Sequence, residues 1–297
     1  MPSRTLTITG AVVSTVQKQE ICTVISYEDV PRSAHFCRAA LSSCSGATAS
    51  LQAIKISAQI PAIGGDKFAG LKWTFVRIKY NTWDNEGAAR SSSLRYWDDP
   101  WAIDAPAAEQ NLSRRVKSVT SIEVGDPQVM TLEDPNLWKY PWIYIVEPSN
   151  LVLSDAEVPI LREFLLRGGT LTFDDFHGPY EWDLTVKQLQ RVFPDREIVE
   201  IAPPHPIYNC FYRIDKYPQI PGLGSFLSGR TWEKGGFTAH LRGIMDDSGR
   251  PMVLINWNTD MGDGVEWSNA EEYQGYIKWT AQAYQMLINE VIYSLTH

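Results

Sequence analysis

The chain has 297 residues, 44% hydrophobic and 11% aromatic, enough for a substantial core in one large domain or one domain with an appendage. A formal net charge of -8 argues against a nucleic-acid partner, because neutralising phosphates takes clustered Lys and Arg. The four cysteines, at 22, 37, 44 and 210, form no C-x-x-C or zinc spacing, and the lack of a run of about 18 apolar residues excludes a transmembrane helix.

Residues 1–70 are rich in Ser, Ala and Thr without a sustained period, so a disordered or loosely attached extension is expected there, with one short strand at 24–27. No secretory signal is visible, because no charged start is followed by an apolar core. The domain proper, 71–297, opens with the β-prone run 73–80. A polar, Trp-rich loop around Trp97 and Trp101 follows, and Asp104 and Pro106 open a helix through Asn111 and Arg115. Residues 121–124 read as the next strand, 129–132 as a short extended piece, and 142–146 (W-I-Y-I-V) as a fully buried strand. Ser154 and Glu157 form a capping-box pattern for a helix whose apolar face is Val158, Leu161 and Leu165.

Gly168-Gly169 stops that helix, since glycine takes the left-handed C′ conformation without a Cβ clash. A short apolar strand, 170–173, then delivers Asp174 and Asp175 to its carboxyl end, the rim where open α/β sheets bind ligands. Trp182, Val186, Leu189 and Phe193 define a further helix, ended by Pro194, and 197–201 a further strand. The long irregular segment 203–242 has the character of a functional loop or lid. A hairpin turning at Asp247-Ser248-Gly249 leads into a strand at 252–255. The last helix runs over 271–294, with an apolar stripe of Tyr273, Ile277, Tyr284, Leu287, Ile288, Val291 and Leu295. Strands alternating with helices predict one mostly parallel sheet from 73–80, 121–124, 142–146, 170–174 and 197–201, with 142–146 and 170–174 central.

Three groups are candidates for chemistry. Asp174 and Asp175 point to opposite sides of an extended chain: one could ligate a hard cation or act as general base while the other caps a helix, and turn chemistry alone is an equal reading. His205, held between prolines, follows the 197–201 strand and would reach the same rim as a metal ligand or proton shuttle. His177 reads as a turn residue. The oxygen-rich run 256–264, with Asp260, lacks the calcium-loop pattern and reads as a polar loop. Tyr180, Trp182 and Trp257 lie near predicted loops, where aromatics beside carboxylates suit sugar stacking, though core packing accounts for most tryptophans. Topology therefore predicts one pocket holding Asp174 or Asp175 with His205, lined by Tyr180, Trp182 or Trp257. Cys210, outside the strand-turn-helix elbow, is not expected to be a nucleophile. There is no G-x-S-x-G, P-loop, H-E-x-x-H or Rossmann fingerprint.

From Trp73 to Leu295 the chain resembles the bacterial "domain of unknown function 4159" family. The matching pieces are Phe75-Val76-Arg77, Trp97 with Asp104 and Asn111, Tyr140-Pro141, and Gly168-Gly169 leading to Asp174-Asp175. They continue with His205-Pro206-Ile207-Tyr208, Gly249-Arg250, and Asp260 with Trp267. The resemblance implies an α/β, flavodoxin-like three-layer sandwich with a mostly parallel sheet, similar to class I glutamine amidotransferases. The amidotransferase cysteine is replaced by Asp174-Asp175, which removes that activity. It also implies a lean towards the cell envelope. Two functional classes follow. The first is a module binding a small molecule, carbohydrate or protein partner. The second is a hydrolase in which Asp174, Asp175 and His205 bind a divalent metal or activate water.

Overall fold

A computed structural model describes residues 68–83 and 99–297, together with the strand segments 8–10, 54–56 and 89–90. The chain divides into two units, Met1–Ala62 and Ile63–His297. In the first, Ile8–Gly10 pairs antiparallel with Ile54–Ile56. The expectations for 1–70, the strand at 24–27 and most of the Trp97 loop lie outside the described residues.

The second unit is built on a seven-stranded sheet. Its strands are β1 (Val76–Ile78), β2 (Gln128–Met130), β3 (Trp142–Val146), β4 (Thr170–Phe176), β5 (Ile198–Glu200), β6 (His240–Met245) and β7 (Pro251–Trp257), in the order β5-β6-β7-β4-β3-β1-β2. All neighbours from β2 to β7 pair parallel, while β6 runs antiparallel to β5 and β7. The run β2-β1-β3-β4-β7 is compatible with a flavodoxin-like fold. The helices are α1 (Ala107–Val119), α2 (Glu157–Leu166), α3 (Gly178–Val192), α4 (Leu223–Leu227), α5 (Met261–Glu266) and α6 (Ile277–Thr296). Among the described residues no helix is long and apolar enough to cross a membrane.

Alternation along β3 makes the three layers. Trp142, Tyr144 and Val146 enter one core with Leu112 and Val116 of α1, Val265 of α5 and Leu287 and Val291 of α6. Ile143 and Ile145 enter the other, with Leu161 and Leu165 of α2 and Leu189 and Val192 of α3. The capping box forms as the sequence predicts: Ser154 N donates to Glu157 Oε2 (2.8 Å) and Glu157 N to Ser154 Oγ (3.1 Å).

Three expectations are corrected. The 121–124 run does not join the main sheet: Glu123–Val124 pairs only with Lys72–Trp73, and Gln128–Met130 takes the edge place beside β1. Only Ile122 of that run is buried, so its apolar content serves the α1 core and not a sheet face. The 197–201 strand is separated from β4 by both arms of the hairpin, because that hairpin turns at Asp246–Arg250 and adds β6 as well as β7 to the sheet. Finally, the last helix begins at Ile277 and not at 271: residues 271–276 form a separate 3-10 turn that takes Tyr273 out of the stripe, and Ile277, at the first position of α6, is 62% exposed.

Candidate functional site

The carboxyl ends of the parallel strands carry the unusual backbone. Glu147 after β3 (φ 49°), Asp175 at the end of β4 (φ 54°), Asn258 after β7 (φ 63°) and Asp104 before α1 (φ 65°) all adopt left-handed conformations without being glycine. Such positions cost about 1–3 kcal/mol each and concentrate at functional sites. Asp175 reaches this geometry through a bulge: β4 and β7 are in register at Phe173 and again at Phe176, with a shift between them. The bulge re-aims the Asp175 side chain towards the rim.

The two adjacent aspartates have different employment. Asp174 is fully buried; its Oδ2 accepts from Tyr144 Oη (2.7 Å) and Gly262 N (2.7 Å), and its Oδ1 from Met261 N (3.2 Å). It clamps the start of α5 to β3 and β4. Burial pushes its carboxyl up to about 7, with the Tyr144 bond opposing and Asp175 adding to the rise. Asp175 instead faces an acid cluster. Oxygens of Asp104, Asp175 and Asp260 lie within 4.8 Å of one another, and oxygens of Asp104, Asp263 and Glu266 form a second such group. Asp260 is 5% exposed, and its Oδ1 accepts from Asp263 N (2.8 Å) to cap α5.

Asp104 connects the two groups. Its Oδ2 is buried and has no hydrogen-bond partner. It sits over Gly262, where a Cβ would come within 2.0 Å of that oxygen, so glycine is required for the approach. Gly222 opens the other wall: a Cβ there would lie 2.7 Å from Glu233 Oε1 and 2.9 Å from Asp260 Oδ2. Among the described residues, the nearby cations are engaged by other carboxylates. Arg77 is bound by Glu109 and Lys234 Nζ by Glu181 (2.7 Å). Burial and then neighbouring carboxylates raise Asp104 and Asp260 well above the usual range, and burial with Asp263 raises Glu266 to about 7. An all-oxygen donor set of this kind suits hard divalent ions such as Mg²⁺, Ca²⁺ or Mn²⁺.

His177 lies at the edge of the cluster, 1% exposed, with Nε2 3.2 Å from Asp175 Oδ1. Burial alone would lower its pKa; the Asp175 bond and charge, with Glu233, reverse that and raise it.

His205 is not brought to this site. Its Nδ1 accepts from Ile207 N (3.3 Å), and its ring lies 5.4 Å from that of Tyr293 in the last turns of α6. The rim end of α6 is marked by Ala283, which packs on Gly264, ten residues and roughly 15 Å of helix away. Trp182 and Trp257 pack on each other (4.6 Å), with the Arg242 guanidinium over both rings. Tyr180 projects from the first turn of α3 at 74% exposure. Cys210 Sγ donates to the Asn289 carbonyl (3.3 Å) against α6. Of the sequence candidates, Asp174, Asp175 and Asp260 therefore converge. Asp104, Asp263, Glu266 and His177 complete the group, although Asp104 and His177 read in the sequence as cap and turn residues.

Residues 75–295 match the family described as Domain of unknown function (DUF4159), and the chain belongs to that family. A comparison with curated proteins finds no match.

Proposed function

We propose that the domain is a ligand-binding module whose rim takes its ligand through a hard divalent cation held by Asp104, Asp175 and Asp260. Asp263 and Glu266 lie beside that cation, and the scaffold is amidotransferase-like without the nucleophile. The carrying observation is the convergence of the three carboxylates within 4.8 Å while the buried Asp104 Oδ2 has no partner. A buried carboxylate oxygen without a partner is costly, and a cation would remove that cost. The strand order and the strained Asp175 at the strand-to-helix elbow support the scaffold half of the reading. Calorimetric titration of chelator-treated protein with Ca²⁺, Mg²⁺ and Mn²⁺ is the test. Saturable binding of at least one ion, weakened about tenfold or more by Asp260→Asn, is expected. No heat with any of the three ions defeats the reading.

One observation favours a second reading, a cation-dependent hydrolase. The His177–Asp175 pair, 3.2 Å apart beside the cluster, has the geometry of a general base and the group that orients it. Mn²⁺-dependent turnover of chromogenic esters or phosphoesters, lost in His177→Gln with cation binding retained, would move the assignment to this class.

A further inference from the structure

We propose that the cleft between Tyr180 and Glu147 is a subsite for a neutral sugar ring, placed so that the ring's hydroxyls extend towards the rim carboxylates. The subsite rests on the cation-binding reading only for its cation dependence.

The cleft holds about 590 Å³ and is lined by Glu147, Ser149, Asn150, Tyr180, Leu184 and Lys234, with Glu181 beside Lys234. That volume is within the range of small-molecule sites. Its inner end adjoins the acid cluster, because Glu147 N donates to the Asp174 carbonyl (3.0 Å), one residue from Asp175. Its outer end is Tyr180, the most exposed of the large apolar side chains among the described residues. The backbone leading into Tyr180 is fixed: Gly178 N donates to Asn258 Oδ1 (2.8 Å), and Pro179 immediately precedes Tyr180 in the first turn of α3. A rigid aromatic face offered to solvent costs little entropy when something stacks on it.

Charge and polarity in the cleft select the ligand class. Lys234 is its one basic residue, and Glu181 already engages it at 2.7 Å. With Lys234 engaged by Glu181 and the carboxyls of Glu147 and Asp175 close by, a phosphate or carboxylate would find no unengaged cation among the described lining residues. The apolar lining is confined to the Tyr180 ring and Leu184, too little for an acyl chain. The remaining groups are a hydroxyl (Ser149), a carboxamide (Asn150) and carboxyls, which suit a perimeter of hydroxyls. Asn150 Nδ2 is held by Glu147 Oε2 (3.1 Å), which pre-orients the amide. A flat apolar face edged with hydroxyls describes a pyranose. Vicinal hydroxyls are also acceptable oxygen ligands for a hard cation.

The test titrates the full chain, with and without saturating Ca²⁺, against a panel of neutral hexose and N-acetylhexosamine oligosaccharides and against a uronic-acid oligosaccharide. Neutral sugars are expected to bind. Tyr180→Ala, a surface change with no expected effect on folding, should weaken that binding about three- to tenfold. Tyr180→Phe should retain binding, and both variants should keep the wild-type cation affinity. Cation binding without any neutral-sugar binding overturns the subsite and leaves the cation reading intact; loss of both overturns both. Preference for the uronic-acid ligand, or sugar binding indifferent to Tyr180→Ala, also overturns the subsite.

Discussion

Asp104 owes its position to what surrounds it: a left-handed backbone at φ 65°, and a glycine at 262 that lets its carboxylate come down on α5. Adding one methyl there should displace it. Gly262→Ala, in a regular helical position, is expected to lower cation affinity roughly 10–100-fold, as other changes behind a ligand do, while moving the melting temperature little. Titration calorimetry beside a thermal melt separates the two effects; wild-type affinity in the variant would show that Asp104 is not a ligand. Asp175→Asn is expected to weaken cation binding about tenfold or more with folding retained, because its partner His177 can still hydrogen-bond an amide. Asp174→Asn should behave oppositely and lower the melting temperature, since both of its oxygens accept and an amide must set its NH₂ donor against either Met261 N or the Tyr144 and Gly262 donors. The sequence placed the pair at a strand's carboxyl end but could not divide the labour. The division depends on the bulge between Phe173 and Phe176, a property of pairing with β7 and not of local composition. Asp104 and Asp263 were beyond reach for a similar reason: their meeting is a contact between segments far apart in the chain.

The site stands on elements joined by a buried charge pair. Arg77 of β1, fully buried, donates to Glu109 in the first turn of α1 and, through Nη1, to the Trp101 carbonyl (3.1 Å). This ties the central sheet to the helix that follows Asp104. Arg77→Met removes one partner and leaves Glu109 charged at 3% exposure, so a loss of about 3–5 kcal/mol is expected by denaturant unfolding. Arg77→Met with Glu109→Leu should recover most of it, as apolar replacements of buried pairs often do. A double variant as unstable as the single would show that geometry, and not unpaired charge, is what Arg77 supplies. Legibility at this scale followed burial. Runs buried on both faces, such as Trp142–Val146, and local signatures such as the Ser154–Glu157 capping box are written in adjacent residues. Gln128–Met130 shows in the sequence only as the short extended piece 129–132, and its place in the main sheet does not, because a three-residue edge strand carries little apolar signal. The misplacement of His205 has an element-scale cause as well. β5 does end on the same edge as β4, but β7 and β6 lie between them, so its end is three strand spacings, roughly 14 Å, from Asp175. The chain then turns back after Ile201, whose carbonyl accepts from Tyr208 Oη (2.7 Å).

The molecule also places ionisable carboxyls inside, away from the rim. Glu290 of α6 is fully buried beneath the sheet; its Oε2 accepts from Thr172 Oγ1 (3.0 Å) and Asn256 Nδ2 (3.5 Å), and its Oε1 has no partner. Burial raises it from the usual 4.5 to about 8, with Asp174 adding to the rise and the two hydrogen bonds opposing it. A group raised in the folded state binds more protons there than in the unfolded chain between those two values, so stability falls as pH rises through that window. Its contribution is complete below about 4.5 and lost as pH passes about 8. The raised carboxyls of the rim act in the same direction when no cation is bound. In chelator-treated protein the melting temperature should therefore decline from pH 5 to 8.5, and Glu290→Gln should flatten part of that decline by supplying permanently the uncharged form. Saturating Ca²⁺ should flatten a separate part, that of the rim, so the two effects add because the groups are distinct. A Glu290→Gln profile parallel to wild type would mean that Glu290 is ionised at neutral pH, with a partner that its two hydrogen bonds do not reveal.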